Sequence, residues 1–521
     1  MTGERRASLL TFTAVAVAAL VVRLVHLVFF AEATPFFDPA PWNTPMNPMD
    51  TGEYDRWAMQ ILGGDAWWTD HGQGEYFQSP VYPYFVALIY LLAGGRSIMA
   101  VAVVQAVLGA ATCGMTAILA RRLITPAAGW LAGGLAVVYA PGIFYGSFLL
   151  KESLATFLLS TALTHTVFVF GKDEQDLLGE DRAREHDGEA GPARAVYRLF
   201  LAGFLWGAAL ASWPLLVPLA LVAMAWIAWQ AAPPAAGPSL PVVARVALLL
   251  TGTVLAVAPC TLRNVVGEGR FVLLSDAGPR NWQVGNATNS TGTYIDFPRD
   301  PLAPVSAPLS GRFWSQYAGK LILFSAARDI PQVVDGELLR PASPVLRRPL
   351  PGWGFLLPFA LAGLLLAWRR NRWWGFDSRW VPLYVIAVGY PLLMSLFFIV
   401  GRFRLPVAPV YMIFAALAAH EMRGLATRAA WSGPMPLRGL TAMGVVLLAA
   451  VAVNVPRPLP RGAYPFHHTW ASYHLEKGDA AWRAGQGEVA RSAWQKVLKV
   501  PFSPHRGAAE KRLQQQSATP H

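Results

Sequence analysis

Cysteine is nearly absent from the chain. Its two copies, Cys113 and Cys260, both lie inside apolar runs, which argues against a disulfide framework and against a cysteine metal site. Charge is also scarce. Only 14% of the 521 residues are Asp, Glu, Lys or Arg, against about a quarter in soluble domains, while 54% are hydrophobic. That balance excludes an ordinary soluble globular protein and points to a polytopic membrane protein. A concentrated basic module is missing too. The net charge of +12 is dispersed in short clusters between apolar runs, so nucleic acid is not an expected partner. A small-x-small cleavage site is lacking after the first apolar segment, Leu9 to Phe30, which is also long for a signal-peptide core and therefore reads as an uncleaved anchor.

What is present is a series of apolar runs. A helix needs about 20 such residues to cross the hydrocarbon core. Runs of this kind cover 9–30, 98–120, 127–147, 153–170, 242–261, 351–368, 380–400, 405–421 and 438–455. The stretch 198–230 is too long for one crossing and contains Pro214 and Pro218, so it predicts two shorter helices broken near "SWPLLVP". The expected fold is an α-helical polytopic membrane protein with about 11 transmembrane helices. With the N-terminus in the cytoplasm, Arg5/Arg6, Arg121/Arg122, the Arg369, Arg370, Arg372 group, Arg423/Arg428 and the charged loop 171–197 all fall inside. The short outer loops keep only Lys151 and the pair Arg402/Arg404, as the positive-inside rule requires. The run "SPVYPYFVALIYLLAGG" (79–95) is barely long enough to span and would invert everything downstream, so it reads as an interfacial helix on the outer surface.

This topology divides the chain into a membrane region, 1–455, and an outer tail, 456–521. Within the first, 31–97 and 262–350 form outer loops. The larger one is rich in Pro, Gly, Ser and Asn and carries strand-like runs such as "RFVLLS", so it reads as a small irregular or mixed domain. In the tail, Gly478, Gly485, Ala490, Trp494 and Leu498 of "KGDAAWRAGQGEVARSAWQKVL" follow a helix-turn-helix rhythm resembling one tetratricopeptide repeat, with Ala481 where an aromatic is usual. A single repeat cannot bury its own face, so the tail is expected to dock, on this chain or on a protein partner.

The chemistry-bearing residues sit at the outer ends of these runs. In "MNPMDTGEYDRWA", a helix would place Asp50 one turn from Tyr54, and the acid taken alone reads first as an N-cap, a reading that the charges elsewhere at the outer face shift toward a reactive group. Asp55 belongs to the same loop, and Glu152 lies in "FLLKESLATF". Arg263, Arg402 and Arg404 reach the same surface, while Lys151 reads as a snorkelling anchor. Carboxylates and arginines beside a greasy cleft suit a lipid-phosphate-linked donor, with arginines for the phosphate and a carboxylate as general base.

The segments "DTGEYDRWA", "YFQSPVYPYFVALIY", "LLKESLATFLL", "LRNVVGEGRFVLLSDAGPRNWQVGNATNSTGTY" and "GRFRLPVAPVYMIFAA" resemble, in this order over residues 9–455, the membrane glycosyltransferases of the GT-C superfamily. The branch they resemble holds the bacterial relatives of dolichyl-phosphate-mannose protein mannosyltransferases and the lipid A aminoarabinose transferases. No single motif is specific; their order and topology carry the likeness. The resemblance implies a catalytic acid at Asp50, a second acidic position at Glu152, and a donor-phosphate arginine at Arg402 or Arg404; Arg263 is a further candidate from its place at the same outer surface. Tyr54, Tyr82 and Asn286, the last within the turn-like "NATNST", are the candidate substrate contacts. Where some relatives have an Asp-Glu pair, Asp50 is followed by Thr51 and Gly52, which leaves Asp55 as a rival base. Some relatives bind a divalent metal through a Glu and a His, but 262–350 contains no His, and His71, His26 and Glu75 form an incomplete set. No cofactor is firmly expected, a divalent metal stays an open alternative, and no residue is assigned to a metal.

The expected activity is inverting transfer of a hexosyl or pentosyl group from a polyprenyl-phosphate sugar donor to a glycan, lipid or protein acceptor. The expected location is the bacterial inner membrane, with the site facing the periplasm and membrane lipids around it. A transporter or flippase of lipid-linked saccharides is the alternative. It would favour internal repeats and midplane charges, whereas here the charges gather at one face. A scaffold acting through its tail would explain the tail but not the carboxylates.

Overall fold

The computed structural model describes residues 3–37, 50–65, 67, 78–170, 191–230, 240–294, 303–370, 378–427, 437–456, 465–500, 503 and 505–518. Helices follow in chain order: α1 (Gly3–Ala33), α2 (Asp50–Leu62), α3 (Val81–Leu92), α4 (Ile98–Leu123), α5 (Pro126–Val138), α6 (Ala140–Tyr145) and α7 (Glu152–Phe170). Then come α8 (Gly191–Ser212), α9 (Val217–Gln230), α10 (Val242–Glu268), α11 (Ala277–Asn286), α12 (Gly311–Ser325), α13 (Gly336–Leu339) and α14 (Trp353–Arg370). The last are α15 (Val381–Met394), α16 (Ala408–Thr427), α17 (Leu437–Asn454), α18 (Pro465–Arg483), α19 (Gly487–Leu498) and α20 (Arg506–Ala518).

The chain is a helical multi-pass membrane protein. Among the described residues five helices, α1, α4, α7, α8 and α10, are long and apolar enough to cross a membrane. The other apolar helices are shorter because the chain interrupts them. The run 127–147 is split at Tyr139, where Pro141 opens the short α6. The stretch 198–230 breaks after Ser212, and a 3₁₀ turn at Pro214–Leu216 precedes α9. Helix α3 has 12 residues, about 18 Å at 1.5 Å per residue, well short of a hydrocarbon core of about 30 Å.

Small residues bring the long helices together. An added Cβ on Gly203 of α8 would lie 2.0 Å from the Leu249 carbonyl oxygen of α10, and one on Gly252 of α10 would lie 2.2 Å from the Phe200 carbonyl oxygen. Two backbones therefore touch where side chains would hold them apart, as small-residue faces allow in lipid. Helices α2 and α3 pack on one another through Tyr54, Trp57, Tyr82, Val86 and Tyr90.

Residues 262–350 differ from the mixed domain expected. Among the described residues pairing is limited to one antiparallel bridge, Ala287 to Val305, and the remainder is helix, turn and bend. "RFVLLS" forms no strand because α10 takes its carbonyl groups. Asn264 Nδ2 donates to Val272 O (3.0 Å) and Leu274 O (3.2 Å), and Thr261 Oγ1 donates to Leu273 O (2.7 Å).

The tail folds as α18, α19 and α20. Gly478 leaves room for the Trp494 ring, whose Nε1 donates to Asp479 Oδ1 at 3.0 Å. The tail also docks on the rest of the chain. His467 Nε2 lies 2.6 Å from Asp335 Oδ2, and Trp470 stacks on Phe36 with ring centroids 5.9 Å apart.

Candidate active site

Three elements begin at the same place. Asp50 is the first residue of α2, Glu152 is the first of α7, and Arg402 lies in the 3₁₀ turn Gly401–Arg404 that leads into α16. The Arg402 guanidinium pairs with the Asp50 carboxylate, lies 3.1 Å from Glu152 Oε1, and donates to Gln332 Oε1 at 3.0 Å. Glu152 is fully buried and Arg402 is 4% exposed, whereas the Asp50 side chain keeps 17%. Asp50 is thus the carboxylate of this cluster that an incoming group reaches. Glu152 meets Arg402 as charge against charge: neither of its carboxylate oxygens has a hydrogen-bond partner.

Lys151 completes the charge balance. Its Nζ donates to Gln78 Oε1 at 2.6 Å and lies 5.1 Å from the centre of the Trp213 ring. Burial lowers its pKa, while the carboxylates of Glu152 and Asp50 pull it back up. This lysine packs inward beside the cluster and does not snorkel toward headgroups. Two carboxylates and two cations then balance, which a poorly solvated pocket requires.

Aromatic residues and backbone hold these groups in place. The Tyr54 hydroxyl is buried with no hydrogen-bond partner, and its ring meets Tyr82 edge-on at 4.7 Å. Tyr82 donates to Gln105 Oε1 (2.7 Å), and the Gln105 amide donates to Gly146 O (3.0 Å) and Phe148 O (2.7 Å). That chain of bonds pins the turn that delivers Lys151 and Glu152. On the other side, Asp329 accepts from Tyr145 Oη at 2.6 Å and from Ile330 N at 3.1 Å. Its carboxylate fills the space that a Cβ on Gly401 would need, while Gly401 N donates to Ile330 O at 2.9 Å. Burial pushes the Asp329 pKa up, and the Tyr145 hydrogen bond and Arg404 oppose the rise. The result is a short docked segment that presents Gln332 to Arg402.

The cluster therefore gathers Asp50, Glu152, Arg402, Tyr54 and Tyr82, and adds Lys151, which the sequence reads as a lipid anchor, with Gln78 and Gln332, which carry no signal in the sequence. The other candidates are placed differently. Asp55 is held by Arg96 through three contacts of 2.7–2.9 Å and accepts from Tyr90 at 2.6 Å. Arg404 donates to Leu323 O (2.8 Å) and Arg328 O (3.3 Å) and lies over Trp353. Arg263 donates to Trp67 O and to Asn264 Oδ1, each at 3.1 Å. Asn286 donates to Trp282 O and Leu396 O and accepts from Lys320 Nζ at 2.9 Å. Among the described residues no three His, Cys, Asp or Glu side chains converge as a metal set. His26 contacts Ser343, 2.8 Å from its Nδ1, and His71 and Glu75 lie outside the described residues.

No family model matches the chain, and no curated protein is similar to it. Solved structures are similar at low identity. The oligosaccharyltransferase of Archaeoglobus fulgidus in its apo form is 14% identical, with a TM-score of 0.43 over 95% of this chain and 60% of that one. The same organism's oligosaccharyltransferase AglB with an inhibitory peptide and a dolichol-phosphate is 15% identical, with a TM-score of 0.44 over 96% and 61%. ArnT from Cupriavidus metallidurans bound to undecaprenyl phosphate is 15% identical, with a TM-score of 0.42 over 97% and 78%. The chain thus spans about three fifths of the length of the archaeal enzyme.

Proposed function

We propose that this chain is an inverting glycosyltransferase of the GT-C kind. It would move a hexosyl or pentosyl group from a polyprenyl-phosphate donor to a glycan, lipid or protein acceptor at the periplasmic face of a bacterial inner membrane. The observation that carries this reading is Arg402 held between Asp50 and Glu152, with Lys151 beside them. The order of the sequence segments that resemble this superfamily supports it.

In the proposed step the acceptor hydroxyl attacks the anomeric carbon and its proton passes to Asp50. The carbon–oxygen bond to the donor phosphate breaks, and the polyprenyl phosphate leaves with the electron pair. Arg402 and Lys151 stabilise the charge that grows on the leaving phosphate. Glu152 keeps Arg402 in place as the phosphate replaces Asp50 on it.

The test uses the full chain in lipid nanodiscs with undecaprenyl-phosphate hexoses and pentoses, and reads release of undecaprenyl phosphate in the presence of membrane extract as acceptor. Asp50→Asn caps a helix about as well as Asp but accepts no proton, so turnover should fall by about 10²–10⁴ with normal expression. Arg402→Lys should retain part of the activity and Arg402→Ala almost none, since Lys lacks the planar fork. Near-normal turnover in both Asp50→Asn and Arg402→Ala would overturn the reading.

A further inference from the structure

The tail carries a second charged feature, separate from the Asp50 cluster. A cavity of about 310 Å³ is lined by His474 and Lys477 of α18 and by Glu488, Ser492 and Lys496 of α19, among others. A neighbouring cavity of about 290 Å³ shares Lys496 and adds Lys499, Arg347 and Trp470, and its wall includes Ala33 and Thr34, where α1 ends. The pair of cavities thus gathers Arg347, Lys477, Lys496 and Lys499 against the single carboxylate of Glu488. Among the described residues none of these cations forms an ion pair.

An independent feature lies in the wall. His474 is 3% exposed, and neither of its ring nitrogens has a hydrogen-bond partner. A buried polar ring without a partner costs free energy unless something supplies the bond. Burial, with Lys496 and Lys477 adding to it, lowers the His474 pKa to about 3, so the ring is neutral and has one N–H to donate. Burial and the repulsion of Lys477 and Lys499 lower the Lys496 pKa as well. His474 lines the first cavity with Lys477 and Lys496, and Lys496 is shared with the second, where Arg347 and Lys499 join it, so the cations of the two adjoining cavities call for an oxyanion. Phosphate has oxygens enough for several cations and a neutral donor together. The place where α1 ends is also where a lipid headgroup would stand, and clustered Lys and Arg near a membrane surface attract anionic headgroups.

We infer that the cleft between α18, α19 and residues 338–347 binds a phosphate group, from either an anionic lipid headgroup or free phosphate. The bound group would bridge Arg347 of the membrane region to Lys496 and Lys499 of the tail.

The experiment uses the purified full chain in neutral detergent. Native mass spectrometry reads retention of added phosphatidylglycerol against phosphatidylcholine, and melting curves read the effect of inorganic phosphate. The variants are Lys496→Ala/Lys499→Ala together, Lys477→Ala, and Lys511→Ala on α20 as a surface control. Selective retention of phosphatidylglycerol, weakened about tenfold or more in the double variant and unchanged in the control, supports the site with a lipid as its source. A melting shift with phosphate alone, lost in the double variant, supports it with a soluble source. Absence of both effects in the parent protein, or equal loss in Lys511→Ala, overturns the inference. Turnover of the sugar donor is expected to be unchanged in the double variant, so failure here is distinguishable from failure of the proposed catalysis.

Discussion

At the scale of single residues, spacing along the chain told which charges lie at the same end of the bundle but not which of them meet. Arg402 and Arg404 are two positions apart in a 3₁₀ turn, where three residues complete a turn and side chains two apart diverge. One therefore enters the Asp50 cluster while the other caps carbonyls of residues 323 and 328. Sequence alone carries no such direction. Gln332 was equally hidden, because a neutral side chain in an outer loop looks like any other until Asp329 and Gly401 fix its segment. Asp55 lies five residues beyond Asp50, about 1.4 helical turns, so it leaves α2 on another side and meets a different environment. Asp55→Ala should leave the half-buried Arg96 without its partner and cost about 2 kcal/mol of stability, as for hydrogen bonds to a charged group. A melting midpoint equal to that of the parent protein would show that the Arg96 pair contributes nothing to folding.

At the scale of elements, hydropathy located the long helices because lipid demands uninterrupted apolar runs with internally satisfied backbones. Prolines marked the break between α8 and α9 for the same reason. Strand signals failed in residues 270–275 because Asn264 and Thr261, outside that segment, claim its carbonyl groups. Contact between helices makes a sharper prediction. Gly252→Leu should force α8 and α10 apart and lower the melting temperature and the yield of folded protein, whereas Gly444→Leu, facing open space, should not. Helix α12 offers a pH test. Lys320 is buried and donates to Gly285 O and Asn286 Oδ1, and burial lowers its pKa from 10.5 to about 8. The unfolded chain holds this proton up to about 10.5, so protonation penalises the fold below about pH 8. The penalty fades as pH rises from 8 toward 10.5. The stability of the parent protein relative to Lys320→Met should therefore increase between pH 7.5 and 9.5. A constant difference across that range would show that Lys320 keeps an ordinary pKa.

At the scale of the whole molecule, the proposed sidedness predicts an alternating labelling pattern. Cysteines at the exposed positions Ala93, Ala307 and Ser517 should react from the outside, and cysteines at Glu180 and Asn371 only after permeabilisation. Reaction of Ala307→Cys and Glu180→Cys from one side would reverse the topology and remove the proposed active site from the periplasm. The His467–Asp335 contact gives the tail a further meaning. Asp335 stands three residues after Gln332, and Gln332 touches Arg402. Only three residues therefore separate the contact with α18 from the contact with the guanidinium between the two carboxylates. The tail and the centre thus lean on one short segment, residues 329–335, whose anchorage both of them share.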